Sequence, residues 1–205
     1  MTTVEEKIKQ AAIKEFSRYG FAGARVDRIA KTAKINKAMI YYHFRSKEKL
    51  YEDILSILAD GINNSLKNII SDGNLDKNKL YSIVSVYIDF ICTLDPDFVK
   101  VMLRELSSGG KYFRKIVFIK TLQPLSFLLA QNITKEINNK VFRQLNPFYL
   151  IIQTIGSIVF FNMLKINLHG TDLYNIIFKE NNIEEFKQNL LAVMQNGIEF
   201  KEGTE

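Results

Sequence analysis

Val26-Asp27-Arg28-Ile29-Ala30-Lys31-Thr32-Ala33, then Lys34-Ile35-Asn36, then Lys37-Ala38-Met39-Ile40-Tyr41-Tyr42-His43-Phe44 is the stretch that decides the fold. Val26, Ile29, Ala30 and Ala33 recur at helical spacing, the pattern stops at Lys34, and Asn36 is a residue type that caps helix N-termini. The spacing predicts one short helix over 26–33 and a second over 37–44. Helices this short are not stable alone, so both must be held by neighbours. Two short helices joined by a three-residue turn form a helix-turn-helix, whose second helix enters the DNA major groove.

The outward face of the second helix follows from angle. At about 100° per residue, with Ile40 pointing inward, Phe44 falls on the same side, Ala38 and Tyr42 lie opposite, and Met39 and Tyr41 lie on the flanks. Ala38 is small enough to let the helix backbone approach base edges, and its methyl and the Met39 side chain suit a thymine methyl. Tyr41, Tyr42 and His43 offer donors for phosphate oxygens, which position a protein without specifying sequence. Lys37 can reach a base or the backbone. Arg25, Val26 and Arg28, at the front of the first short helix, are expected among the DNA contacts, with Arg25 and Arg28 placed to cross the adjacent strand and Arg28 toward a guanine edge.

Outward from this core, residues 2–20 read as a helix. Thr3 and Glu6 have capping-box spacing, Ile8, Ala12, Phe16 and Tyr19 form one stripe, and Gly20 is the stop. Downstream, Ser46 caps a longer helix with Glu48 in its first turn and Leu50, Ile54, Ile57 and Leu58 along one side, ended by Asp72-Gly73-Asn74. Lys47 sits in that first turn, where its ammonium and free backbone N–H groups can hold a phosphate. Arg25 to Lys49 carry eight Lys or Arg and two acids, the whole of the net charge of +6. A basic patch confined to one segment is either a phosphate-contacting surface or a solvated helical face.

The stretch Ile8 to Leu50, with Ala11-Ala12, Phe16 and Gly20, then Val26-Asp27-Arg28-Ile29-Ala30, then Ile40-Tyr41-Tyr42-His43-Phe44-Arg45-Ser46-Lys47-Glu48-Lys49-Leu50, resembles the DNA-binding domain of TetR-family transcriptional regulators. Tyr41, Phe44, Lys47 and Leu50 stand at the spacing of that family's recognition helix and the helix after it. The resemblance implies a homodimeric repressor with a helical C-terminal domain that binds a small effector and dimerises through its last two long helices. It places Tyr41, His43 and Lys47 on phosphates and Lys37, Ala38 and Met39 on bases. Two positions depart from the family pattern. Ala24 and Arg25 stand where Thr or Ser often caps the second helix, and Lys34 stands where the turn commonly has Gly, at the cost of a left-handed backbone or a different turn.

The expected architecture is all-α, with residues 4–64 as a helix-turn-helix DNA-binding domain and 65–205 as an effector-binding and dimerisation domain. Only three Pro and ten Gly in 205 residues argue for long elements, and the single Cys92 and two His leave no metal site, so no cofactor is expected. No signal or transit peptide is evident, which points to the cytoplasm. Apolar runs cover Leu80–Leu94, Phe98–Leu106, Tyr112–Ala130, Phe148–Leu164 and Ile183–Phe200, with Pro124 expected to kink or break its run. The hinge between the two parts is the long helix that begins at Lys47.

Arg143 and Lys165 bracket twenty-one uncharged residues. Gln153, Thr154, Ser157 and Asn162 interrupt that run, so it reads as a helix buried between two subunits and not as a membrane span. The expected dimer interface is Ile155, Gly156, Val159, Phe160 and Met163 against Phe186, Leu190, Val193, Met194 and Gly197. Tyr81, Tyr87, Phe90, Phe98, Met102, Phe113, Phe118 and Phe127 are either ordinary core or the lining of an effector pocket suited to a hydrophobic or aromatic ligand. Arg104 and Glu105 either orient a polar group there or pair on the surface. Two rival readings stand beside the regulator. In an all-α enzyme, Ser108-Gly109-Gly110-Lys111 faintly resembles a phosphate loop but lacks its spacing, and His169 has no catalytic partner. A helical protein-binding module would show no steep salt dependence with DNA.

Overall fold

The computed structural model describes residues 3–71 and 73–200, and among them the regular structure is helical, with one isolated bridge between Phe142 and Glu199. Thr3 accepts from the Glu6 amide and the Glu6 carboxylate accepts from the Thr3 amide, so the capping box opens α1 (Val4–Gly23). Gly20, at φ 65° and ψ 179°, ends the regular helix as expected, and one more turn follows. Ile8, Ala12 and Phe16 are buried, whereas Tyr19 departs from the expected stripe and lies half exposed. The expected bounds of α2 (Val26–Ala33) and α3 (Lys37–Phe44) hold, with Asn36 Oδ1 accepting the Ala38 N–H. Lys34 adopts the left-handed conformation at φ 55°, one of the two alternatives the sequence left open. The Ser46 hydroxyl accepts from the Lys49 amide and caps α4 (Lys47–Ile70). Residue 2 and Asp72, named above at helix ends, lie outside the described residues.

After α4 come α5 (Lys77–Cys92), α6 (Pro96–Ser107), the single turn α7 (Lys111–Phe113), a π-helical segment Arg114–Leu122, α8 (Gln123–Asn138), α9 (Pro147–Asn167), α10 (Asp172–Ile177) and α11 (Asn182–Ile198). Pro124 neither breaks the chain nor leaves it regular. Its ring would crowd the carbonyl four residues back, and the wider π winding just before it relieves that clash. The sequence reading missed α10, a six-residue helix capped by Thr171 through the Tyr174 amide, because so short a run has no readable period.

Packing groups these helices into two compact units. The described residues within Met1–Gly61 and Leu94–Leu122 form one, and those within Ile62–Thr93 and Gln123–Glu205 form the other. In the first, Arg104 Nε donates to the Ser17 carbonyl at 2.7 Å, tying α6 to α1. Glu105 is 3% exposed and accepts from the Tyr51 hydroxyl and from the Tyr112 and Phe113 amides. Neither residue pairs on the surface, because Glu105 fills the N-terminal end of α7 from inside. Lys115 Nζ lies 2.5 Å from the nearly buried Glu52, and with Lys49 it holds that carboxyl below its ordinary range. A carboxyl depressed on folding adds stability above its unfolded value and loses it as pH falls through the folded one. Unfolding from about pH 7 down to about pH 3 should show that contribution fading at the acid end, and Glu52→Gln should flatten the acid limb. In the second unit, the Asn132 amide holds the Gly73–Leu75 turn and Asn162 donates to the Ile91 carbonyl.

Candidate nucleic-acid interface

The second helix of the helix-turn-helix is oriented by burial at both of its inward positions. Ile40 is 1% and Phe44 4% exposed, against 80% for Tyr42, and Ala38, Met39 and Tyr41 are also exposed. The angular reading is thereby met, and α3 presents a small, apolar and hydroxyl-bearing ridge. Arg25 at the N-cap of α2 is exposed and makes no side-chain cap bond, and its own amide donates to Glu15 Oε1. Val26, expected among the DNA contacts, is instead buried, where its apolar side chain belongs to the core that holds α2.

The other charged positions are committed within the chain. The Arg28 guanidinium donates to Glu15 Oε1 and to the Gly23 carbonyl and lies over the Tyr19 ring, 4.2 Å from its centroid. It locks α2 onto α1 instead of reaching outward. Lys47 Nζ donates to the Phe21 and Ala24 carbonyls at 3.0 and 3.2 Å and packs over the Phe21 ring, so its ammonium terminates the last turn of α1. His43 Nδ1 is 3.1 Å from the Glu5 carboxylate, and its Nε2 is buried without a partner. Lys37 Nζ pairs with Asp27 at 2.8 Å.

Sequence reasoning missed Glu15, which is 7% exposed and gathers both Arg28 and the Arg25 amide. Its signal was available, because an acid one position from Phe16 on the inward stripe of α1 needs a buried partner. Arg45 was also passed over. It closes α3 with φ 63° and ψ −41°, a conformation that long side chains adopt only where packing enforces it.

The expected pocket residues divide between the units. Phe98, Met102, Phe113 and Phe118 belong to the first, and Tyr81, Tyr87, Phe90 and Phe127 to the second. Phe98 and Met102 are core, Phe118 and Phe127 are exposed, and the Tyr81 hydroxyl donates to Glu199. Tyr87 has no hydrogen-bond partner among the described residues, and burial pushes its phenol up to about 12. Of the expected interface residues, Gly156, Phe160 and Val193 are exposed, whereas Phe186 stacks on Phe161 and Met194 meets the Thr154 hydroxyl within the chain.

Comparison with known proteins puts this geometry in context. Residues 8–54 match the model for bacterial regulatory proteins of the tetR family. Over 117 residues the chain is 32% identical to the HTH-type transcriptional repressor NicS of Pseudomonas putida, a stretch covering 57% of this chain and 55% of NicS. The match thus spans little more than half of that relative. Over 132 residues it is 30% identical to IcaR of Staphylococcus aureus, a negative transcriptional regulator of the biofilm operon icaADBC, covering 64% of this chain and 68% of IcaR. Its fold is similar to that of AibR in complex with isovaleryl coenzyme A and operator DNA, with a TM-score of 0.70 at 15% identity over 93% of this chain and 97% of AibR.

Proposed function

Because the chain belongs to the TetR family of bacterial regulatory proteins, we propose that it is a ligand-responsive transcriptional repressor that binds a palindromic operator as a homodimer. The observation that carries this is the outward ridge of α3, Ala38, Met39, Tyr41 and Tyr42, exposed on a helix whose opposite face is fully buried. Family membership also sets aside the enzyme reading, since these regulators act by binding DNA. A regulator of this kind works in the cytoplasm, where the operator is.

In this reading residues 4–64 serve the operator. Ala38, Met39 and Tyr42 face bases, Tyr41 and Arg25 face phosphates, and Val26 and Arg28 hold α2 in place. Lys47 reaches a phosphate only in part, and His43, with Nδ1 on Glu5 and Nε2 buried, offers none of its ring nitrogens to one. An ammonium has three donors and two of those on Lys47 already serve carbonyls, which leaves one for DNA. Lys47→Ala should therefore do two things. It should lower the melting temperature by removing the α1 terminator, and it should reduce the slope of log affinity against log salt by roughly one unit, equally for all sequences. An unchanged slope removes Lys47 from the DNA contacts.

The effector site belongs to residues 65–205. The half-buried Tyr87, whose hydroxyl has no hydrogen-bond partner among the described residues, supports a ligand that is mostly apolar with one polar group. AibR, with its acyl thioester ligand, is a precedent for such chemistry in the fold. Effector binding favours a conformation in which the recognition helices of the dimer leave the separation of about 34–36 Å that successive major grooves require. Linkage then obliges DNA to weaken the effector by the same factor. Selection from a random duplex library, followed by a salt series on the enriched sequence, tests the core of the proposal. A palindromic consensus with a steep negative slope is expected, and the absence of any enriched sequence at low salt overturns it.

A further inference from the structure

One exposed ion pair joins the two short helices of the helix-turn-helix. Lys37 opens α3, the end of a recognition helix whose residues meet base edges, and Asp27 lies in the first turn of α2. Lys37 Nζ is 2.8 Å from Asp27 Oδ1, yet both side chains keep much of their surface, 44% for Lys37 and 71% for Asp27. The lysine holds the Asp27 carboxyl below its ordinary value, and the carboxylate holds the ammonium up. An exposed pair of this kind adds little to stability. What it does supply is a cluster of donors beside an acceptor at one fixed place. Ala38, next along α3, is exposed and too small to keep the pair away from a groove floor.

The major-groove edge of a G·C pair is the complement of that arrangement. Guanine shows two adjacent acceptors, N7 and O6, and cytosine follows with the N4 donor. An A·T pair fits less well, because the acceptor O4 of thymine lies beyond the adenine donor and opposes a carboxylate. We infer that Asp27 and Lys37 together read one G·C base pair in each operator half-site, the Lys37 ammonium on guanine N7 and O6 and the Asp27 carboxylate on cytosine N4. The inference rests on the operator-binding reading above and adds to it a base identity and a residue, Asp27, that the resemblance does not assign. The two charges travel together, so the pair enters the groove without a net charge. Removing Asp27 frees Lys37 to seek a phosphate instead.

The test is selection from a duplex library randomised at every position, with the full-length wild type, Asp27→Ala and Lys37→Ala run in parallel. Circular dichroism and melting first establish that each variant is folded. In the wild-type motif one position per half-site should be G·C. Asp27→Ala should lose roughly tenfold discrimination at that position alone, the rest of its motif standing, and Lys37→Ala should erase the same position. Asp27→Ala should also steepen the salt slope by about one unit as Lys37 turns to a phosphate. A wild-type motif in which Asp27→Ala changes no position overturns the inference and makes the pair a tie between α2 and α3. A change at an A·T position, or a loss spread evenly over all sequences, overturns it as well while leaving operator binding intact. A wild type that enriches nothing removes the operator reading and the inference with it.

Discussion

Glu105→Ala is expected to lower the melting temperature by about 6–12 °C, the largest stability effect of any single substitution proposed for this chain. The Glu105 carboxylate is 3% exposed and accepts three hydrogen bonds, from the Tyr51 hydroxyl at 3.1 Å and from the Tyr112 and Phe113 amides at 2.7 and 3.2 Å. Alanine leaves three donors without their partner, the Tyr51 hydroxyl buried and the two amides partly so, and each unsatisfied buried group costs about 1–3 kcal/mol. Even the low end of that range gives about 3 kcal/mol, and a chain of this size moves roughly 2–4 °C per kcal/mol. Tyr51 is packed among Phe16, Phe21 and Tyr112, so water cannot enter without opening the aromatic cluster. Burial, with Glu105 next, raises the Tyr51 phenol well above its ordinary value, so it stays a donor at any pH of interest. Glu105→Gln keeps one carbonyl oxygen for the two amides and should recover most of the loss. Thermal unfolding followed by circular dichroism reads both variants. A fall of less than about 2 °C for alanine would mean that the carboxylate does not hold this end of α7.

The largest functional effect should come from Phe160→Glu. On α9, Tyr149, Ile152 and Phe160 are 65%, 64% and 56% exposed, and Gly156 completes the row Ile152, Gly156, Phe160 at steps of four, which places these three on one face. Val193 of α11 adds another large exposed apolar side chain, at 64%. By length and composition α9 is apolar enough to cross a bilayer, and most of its surface is not covered within the chain. In the proposed homodimer a second copy of the chain would cover this face. A carboxylate at Phe160 must then be desolvated against apolar groups of the partner, and the dimer should separate. Losing the second recognition helix removes the avidity of a linked pair, a factor of roughly 10²–10⁴ in operator affinity. Sedimentation at micromolar concentration should give a dimer for the wild type and a monomer for Phe160→Glu, with operator binding falling in parallel. A wild-type monomer, or a dimer that tolerates the glutamate, would place the interface elsewhere.

The helix-turn-helix was legible in the sequence because its signals are local. Thr3 with Glu6, Asn36 with Ala38 and Ser46 with Lys49 are caps within three residues of each other, and Ile40 with Phe44 sets one helix face by angle alone. The family's motif lies in the same window, which is why fold and family could both be read there. The division of the chain by order, at 64 and 65, has no such local basis. Packing joins Leu94–Leu122 to the first sixty-one residues, through contacts such as Arg104 to Ser17 and Lys115 to Glu52 that span 87 and 63 positions.

Composition and spacing thus determined the all-helical class, the bounds of α2 and α3, and which of their residues face out, while the regulator was legible only through the resemblance carried by the same window. Only the tertiary structure decided which charges on that surface are free. Arg28, Lys47, His43 and Lys37 read alike in the sequence as donors for DNA, yet the first is bound to Glu15, the second to two carbonyls, the third to Glu5 and the fourth to Asp27. A helix cap is chosen among neighbours that the chain already holds within reach, so residue type and spacing suffice to name it. A long cationic side chain takes whichever acceptor the packed fold brings within about 3 Å of its head, and that acceptor is set by helices meeting across the core.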